Sequence, residues 1–311
     1  MNIVRKEAFY KSCNGANSIR ALIWNDEDAE PRGIIQIAHG LSEHIGRYDE
    51  FARYLVTLGF IVCGNDHLGH GKSVECPDDL GFVCEGDHVN MVRDMNTLQR
   101  IMSKKYPSLP YIIFGHSMGS LLARIYASAF GDELAGAIFC GTAQLPKPVL
   151  LLEDPVDYLL KKLPENQNSA DTMSSLFGKF TQKLLKDDDQ LAWLSKSKTN
   201  RENYRNDPLC GVPMGNTLAR ELVTMAVKVS YPDWAMKLPY GFHVLLISGA
   251  KDPVGMFGRG VLAVSDELVQ SGIEPEVILY PADRHEIINE DDRDKVYKDV
   301  GKFLEKVLNE I

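Results

Sequence analysis

The chain has 311 residues, 44% hydrophobic and 25% charged, with a formal net charge of −9. Such a balance supports a substantial core and excludes a disordered chain, a coiled coil and a collagen-like fibre. The acidic field repels nucleic-acid phosphates and anionic surfaces.

MNIVRKEAFYKSC at the N-terminus has no apolar signal region, and no stretch approaches about 18 uncharged apolar residues. A cytoplasmic protein that binds no nucleic acid is therefore expected. Residues 5–11 and 18–24 read as two strands around the turn-like SCNGAN, an antiparallel pair capping one edge of a sheet. GIIQIAHG, from residue 33, is the continuous apolar run of a strand buried on both faces. A helix over 48–58 stopped by Gly59, a strand over 60–65, a helix over 89–102, a strand over 111–114, a helix over 121–130 and a strand over 136–140 continue the rhythm. This βαβ alternation predicts a parallel sheet with helices on both faces, its working residues in loops at the carboxyl ends of the strands.

The rhythm breaks between about 144 and 238, where amphipathic helices over 149–163, 173–185 and 218–229 alternate with polar stretches. These are expected to form a helical cap inserted into an α/β core, which gives core parts at 1–143 and 239–311. Lys161 and Lys162 on the rim of the first cap helix would suit transient contact with a membrane or micelle. Strands over 242–248 and 276–280 and helices over 260–271 and 294–308 complete the core. None of the six cysteines forms a CxxC pair, and Cys63 and Cys140 sit in apolar strands as buried free thiols.

Gly115-His116-Ser117-Met118-Gly119 is a GxSxG sequence between a strand and a helix, the setting of a nucleophile elbow. A serine hydroxyl is a weak nucleophile, so it needs a histidine base and an acid to orient that base. Asp252 lies four residues past the strand 242–248 and His285 five past the strand 276–280, in the order Ser, Asp, His. Asp283 is expected to stabilise its own loop instead, and Glu153 and Asp154 belong to the cap. Oxyanion donors are expected from the backbone N–H of Met118, directly after the nucleophile, and of Leu41 in HGLSEH. His39, His44, His67 and His70 read as loop-holding imidazoles with no metal, and His116 as a packing and positioning residue. DHLGHGKS at 66–73 mimics a phosphate-binding loop, but Asp66 replaces its first glycine and no helical pattern follows.

Taken together, HGLSEHIGRY, DHLGHGKS, GHSMGS, NDPLC, GAKDPVG and ADRHEIINE resemble the lysophospholipase and monoacylglycerol lipase branch of the α/β-hydrolase superfamily, of serine aminopeptidase S33 type. The resemblance implies an α/β-hydrolase fold with a mostly parallel eight-stranded sheet and an inserted cap. It carries over Ser117, Asp252 and His285 as the triad, and Leu41 and Met118 as oxyanion donors. Where the family has a second glycine this chain has Ser120, and its cap matches poorly. The implied activity is cofactor-free hydrolysis of a small-molecule acyl ester, a monoacylglycerol or lysophospholipid. The alternatives are a small-ester or amide hydrolase, including an aminopeptidase, and a non-catalytic ligand-binding protein on this scaffold.

Overall fold

Strands buried on both faces must be apolar with little interruption, and four segments meet that condition. They are β3 (Gly33–Ala38), β4 (Phe60–Asn65), β5 (Tyr111–His116) and β6 (Gly136–Cys140), each buried at every position. The computed structural model describes residues 1–160, 186–187 and 189–311. With β1 (Ile3–Lys11), β2 (Ser18–Asp26), β7 (His243–Gly249) and β8 (Glu276–Tyr280), these strands form one eight-stranded sheet in the order β1-β2-β4-β3-β5-β6-β7-β8. Both pairs made by β2 are antiparallel and all the others parallel, so the N-terminal hairpin caps one edge as expected.

The described helices are α1 (Asp49–Thr57), α2 (Asp87–Lys105), α3 (Met118–Phe130), α4 (Lys147–Leu150), α5 (Pro155–Leu160), α6 (Lys198–Asn206), α7 (Asn216–Ser230), α8 (Arg259–Gln270) and α9 (Asp294–Glu310). Alternation along each strand divides its side chains between two cores. Ile112 and Phe114 of β5 pack with α1 and α9, whereas Tyr111 and Ile113 pack with α2, α3, α7 and α8.

β6 and β7 are parallel neighbours although residues 141–242 separate them in sequence. Among the described residues this insertion holds no strand. The expected helix over 149–163 is instead two short pieces, α4 and α5, within its described part. Pro155 explains the break: it has no N–H for a continuing helix and starts the second piece, where none is needed. Residues 161–163 and the expected helix over 173–185 lie outside the described residues. α7 matches its expected position and docks on the core through Leu218, Met225 and Val229. Its Glu221 accepts the N–H groups of Gly86 and His88, both at 3.0 Å, at the start of α2.

Phe114 sets a test of this packing, because it is fully buried 5.1 Å from the Phe51 ring. Phe114→Ala should cost about 3–5 kcal/mol in urea unfolding; a loss under about 1 kcal/mol would mean that the sheet face is not closely packed.

Candidate active site

β5 ends at His116 and α3 begins at Met118, leaving Ser117 alone in the turn with φ 53° and ψ −120°. A left-handed φ at a residue with a side chain is strained by about 1–3 kcal/mol and must be held by its surroundings. Ser117 N–H donates to Cys140 O at 3.0 Å, and Ser117 O accepts from the Ser120 N–H at 2.8 Å and hydroxyl at 2.6 Å. Ser120, the departure from the family pattern, thus braces the turn. The flanking glycines allow the crossing: a Cβ on Gly119 would stand 2.1 Å from Ala38 O, and one on Gly115 2.3 Å from Gly119 O.

Asp252 follows β7 and is fully buried. Its Oδ1 accepts from Val254 N–H at 2.8 Å, and its Oδ2 accepts from Ser248 Oγ at 3.3 Å and pairs with His285 Nδ1 at 2.9 Å. A carboxylate only accepts, so Nδ1 carries the proton and Nε2 keeps its lone pair. His285 and Ser117 line one pocket of about 360 Å³ with Gly40, Leu41, Trp193 and Tyr204 among its walls. Leu41 lies between Gly40, whose N–H donates to Glu43 at 2.6 Å, and Ser42, at φ 53°. Met118 is the first residue of α3, so no earlier helical turn takes its N–H.

Beneath this pocket is a charge network that the sequence reading did not single out. Arg47 donates to Glu43 Oε2 at 2.6 Å and, through both terminal nitrogens, to Glu286 at 2.5 and 2.6 Å. Tyr48 OH donates to Glu43 at 2.8 Å, and Asn200 of α6 donates to Glu286 at 2.7 Å. Burial works against ionisation of both carboxyls, but Arg47 outweighs it and holds Glu43 well below, and Glu286 below, the usual carboxylate range. His116 sits between Glu43, 3.3 Å from Nδ1, and the His285 carbonyl, 3.3 Å from Nε2. Burial would lower its pKa, yet the Glu43 hydrogen bond raises it, as suits an imidazole facing two acceptors. The available signal was the Glu43/Arg47 spacing of four in HGLSEHIGRY, hard to weigh because its second partner, Glu286, lies 239 residues further on.

The remaining candidates fall elsewhere. Asp283 is held by Lys196 at 2.5 Å and Lys295 at 2.9 Å, and Glu153 and Asp154 are exposed between α4 and α5. In the 66–73 motif, Asp66 accepts from Ile45 N–H at 2.9 Å, Lys72 N–H at 2.8 Å and Arg20 at 3.1 Å, so a carboxylate takes up the loop's donors. His39 Nδ1 lies 2.8 Å from Gly40 O and its Nε2 accepts from His67 N–H at 3.0 Å, while His70 Nδ1 lies 2.9 Å from Leu68 O. Among the described residues, His44, Asp207 and Cys210 bring possible metal-ligand atoms within 4.8 Å of one another. His44 Nδ1 accepts from Gly46 N–H, so its proton is on Nε2 and is donated to Asp207 at 2.9 Å. That arrangement leaves no imidazole lone pair for an ion. Burial also raises the Cys210 thiol pKa, and that of Cys63 to about 12.

The network yields a prediction with a defined pH sign. Glu43 and Glu286 have depressed pKa values in the fold, so their stabilisation is full above the unfolded carboxyl pKa of about 4.3 and is lost as pH falls through the folded values. Arg47→Leu strands both carboxylates and should cost about 3–5 kcal/mol at pH 7. Stranded carboxyls protonate more readily, so the deficit in urea unfolding should shrink at about pH 4.5; a deficit that grew there would contradict this account.

Residues 29–292 match the sequence profile of the family described as serine aminopeptidase, S33. The chain is 26% identical over 295 residues to a monoacylglycerol lipase of Mycolicibacterium smegmatis, covering 93% of this chain and 94% of that protein. It is 30% identical over 229 residues to the human monoglyceride lipase, covering 71% of this chain and 66% of that one. The crystal structure of a thermostable carboxyl esterase from Bacillus coagulans in complex with glycerol superposes with a TM-score of 0.87 at 32% identity, covering 99% of each chain. The profile match spans most of the sheet and the segments that carry Ser117, Asp252 and His285, and the chain belongs to the serine aminopeptidase S33 family, with the α/β-hydrolase fold.

Proposed function

We propose that this serine ester hydrolase cleaves single-chain acyl esters, a monoacylglycerol or a lysophospholipid, through an acyl-enzyme on Ser117. The observation that carries the reading is the Asp252–His285 pair at 2.9 Å, with His285 lining the same pocket as the strained Ser117. In this mechanism His285 Nε2 removes the Ser117 proton as Oγ attacks the ester carbonyl. Asp252 orients the ring and stabilises the imidazolium. The N–H groups of Leu41 and Met118 take the oxyanion, with the N-terminus of α3 adding its partial positive charge. His285 then protonates the leaving alcohol, and a water molecule, activated by the same base, hydrolyses the acyl-enzyme. No step requires a cofactor.

Residues 144–238 serve, in this reading, as a cap over a core of residues 1–143 and 239–311. Contact of the cap with a membrane or micelle belongs to the same proposal. It draws on Leu151, 86% exposed, beside the exposed Leu152 and Tyr158. No described helix is long and apolar enough to cross a membrane. The lipase names of the relatives and the glycerol in the esterase structure support a glyceryl ester.

The aminopeptidase alternative needs a free carboxylate near Ser117 to hold a substrate amine. Among the described residues the carboxylates lining the pocket, Glu43 and Glu286, are both bound to Arg47, and Glu153 and Asp154 are not in its wall.

Ser117→Ala should lower monoacylglycerol hydrolysis by at least roughly 10⁴-fold, and Asp252→Asn by about 10⁴-fold. A fluorophosphonate should label wild-type Ser117 and not the alanine variant. Full turnover by Ser117→Ala would sink the mechanism, and faster cleavage of an aminoacyl anilide than of a monoacylglycerol would sink the substrate class.

A further inference from the structure

Trp193 lies in the insertion, yet its place is set by the His285 loop. Arg284, just before His285, donates from its side chain to Ala192 O at 2.7 Å, and Glu286, just after it, donates its backbone N–H to Leu194 O at 2.8 Å. The residues on either side of Trp193 are thus bonded to the residues on either side of His285. The two rings face each other with centroids 5.5 Å apart. Trp193 is 7% exposed and lines the Ser117 pocket.

Its indole Nε1–H is buried and finds no partner among the described residues. Buried donors are almost always satisfied, because leaving one unpaired forfeits its hydration for nothing. The other polar side chains of the wall are occupied: Tyr204 OH donates to Ser42 O at 3.1 Å, Glu43 and Glu286 hold Arg47, and His116 lies between Glu43 and the His285 carbonyl. An indole N–H can only donate, so it calls for an oxygen acceptor. The imidazole that takes the serine proton hands it to the leaving oxygen, so the alcohol half of an ester lies alongside His285. Because the ionised groups of the wall are already matched with one another, the complementary acceptor is a neutral hydroxyl.

We infer that Trp193 is a specificity-determining residue that donates its indole N–H to a hydroxyl oxygen on the alcohol half of the substrate, favouring a neutral polyol ester over a simple alkyl ester. This rests on the ester-hydrolase reading above and narrows it.

The test compares a 1-monoacylglycerol with the propyl ester of the same fatty acid, in wild type and in Trp193→Phe, which keeps an aromatic ring and removes the donor. The ratio of kcat/KM for the glyceryl ester to that for the propyl ester should fall roughly five-fold, the worth of one neutral hydrogen bond, chiefly through KM. Benzothienylalanine at position 193, with sulfur in place of N–H at nearly constant volume, should reproduce the fall if phenylalanine disturbs the fold. Proportional losses on both esters, or an unchanged ratio, would overturn the role of Trp193 while leaving the enzyme class intact. If wild type hydrolysed neither ester and a fluorophosphonate left Ser117 unlabelled, the ester-hydrolase reading would fail and this inference with it.

Discussion

The site depends on one buried guanidinium. Removing ions from water is costly, and a buried charge is tolerated only when its partners are close and well aligned. Arg47 meets that condition by bonding Glu43 and Glu286 together, and in doing so joins two loops that are far apart in sequence. Glu43 positions the Gly40 N–H and the His116 ring, and Glu286 immediately follows His285. The donor loop, the elbow and the base loop therefore cannot shift independently without breaking a buried ion pair. Asn200 extends the arrangement into α6 by bonding both Arg47 and Glu286.

Part of the insertion is consequently built into the site. Glu290 accepts from Ser195 Oγ at 2.8 Å and from the N–H groups of Lys196 and Ser197, both at 3.0 Å. Asp187 draws in Arg201 at 2.5 Å and Arg284 at 2.9 Å, and its carboxyl is lowered to about 2 because those two hydrogen bonds outweigh its desolvation. Segment 189–206 is thereby tied to the loop of His285, whereas Leu151 and Leu152, near the start of the insertion, face solvent. The two ends of the insertion thus do different physical work, one fixing a pocket wall and the other presenting apolar surface.

Several features were legible because they follow from local rules. The sheet strands were visible as uninterrupted apolar runs and the helices by their spacing, and α7 lies where its periodicity put it. The elbow was legible because only glycine can sit where Gly115 and Gly119 cross the backbone. Reading 149–163 as one helix went wrong because its apolar spacing carried the eye across Pro155, whose missing N–H ends any such run. Ser120 looked like a neutral small-for-small change, and only the bonded geometry revealed its hydroxyl on Ser117 O.

The order of Ser117, Asp252 and His285 and their strand-end positions were determined by the sequence, because burial periodicity and turn chemistry act over a few residues at a time. The pairing of Arg47 with Glu286, the bracing of Trp193 by Arg284 and Glu286, and the unspent indole N–H were decided only by the tertiary structure. The physical reason is that a polar group's satisfaction depends on which distant atoms the fold brings within about 3 Å, and no local pattern encodes that.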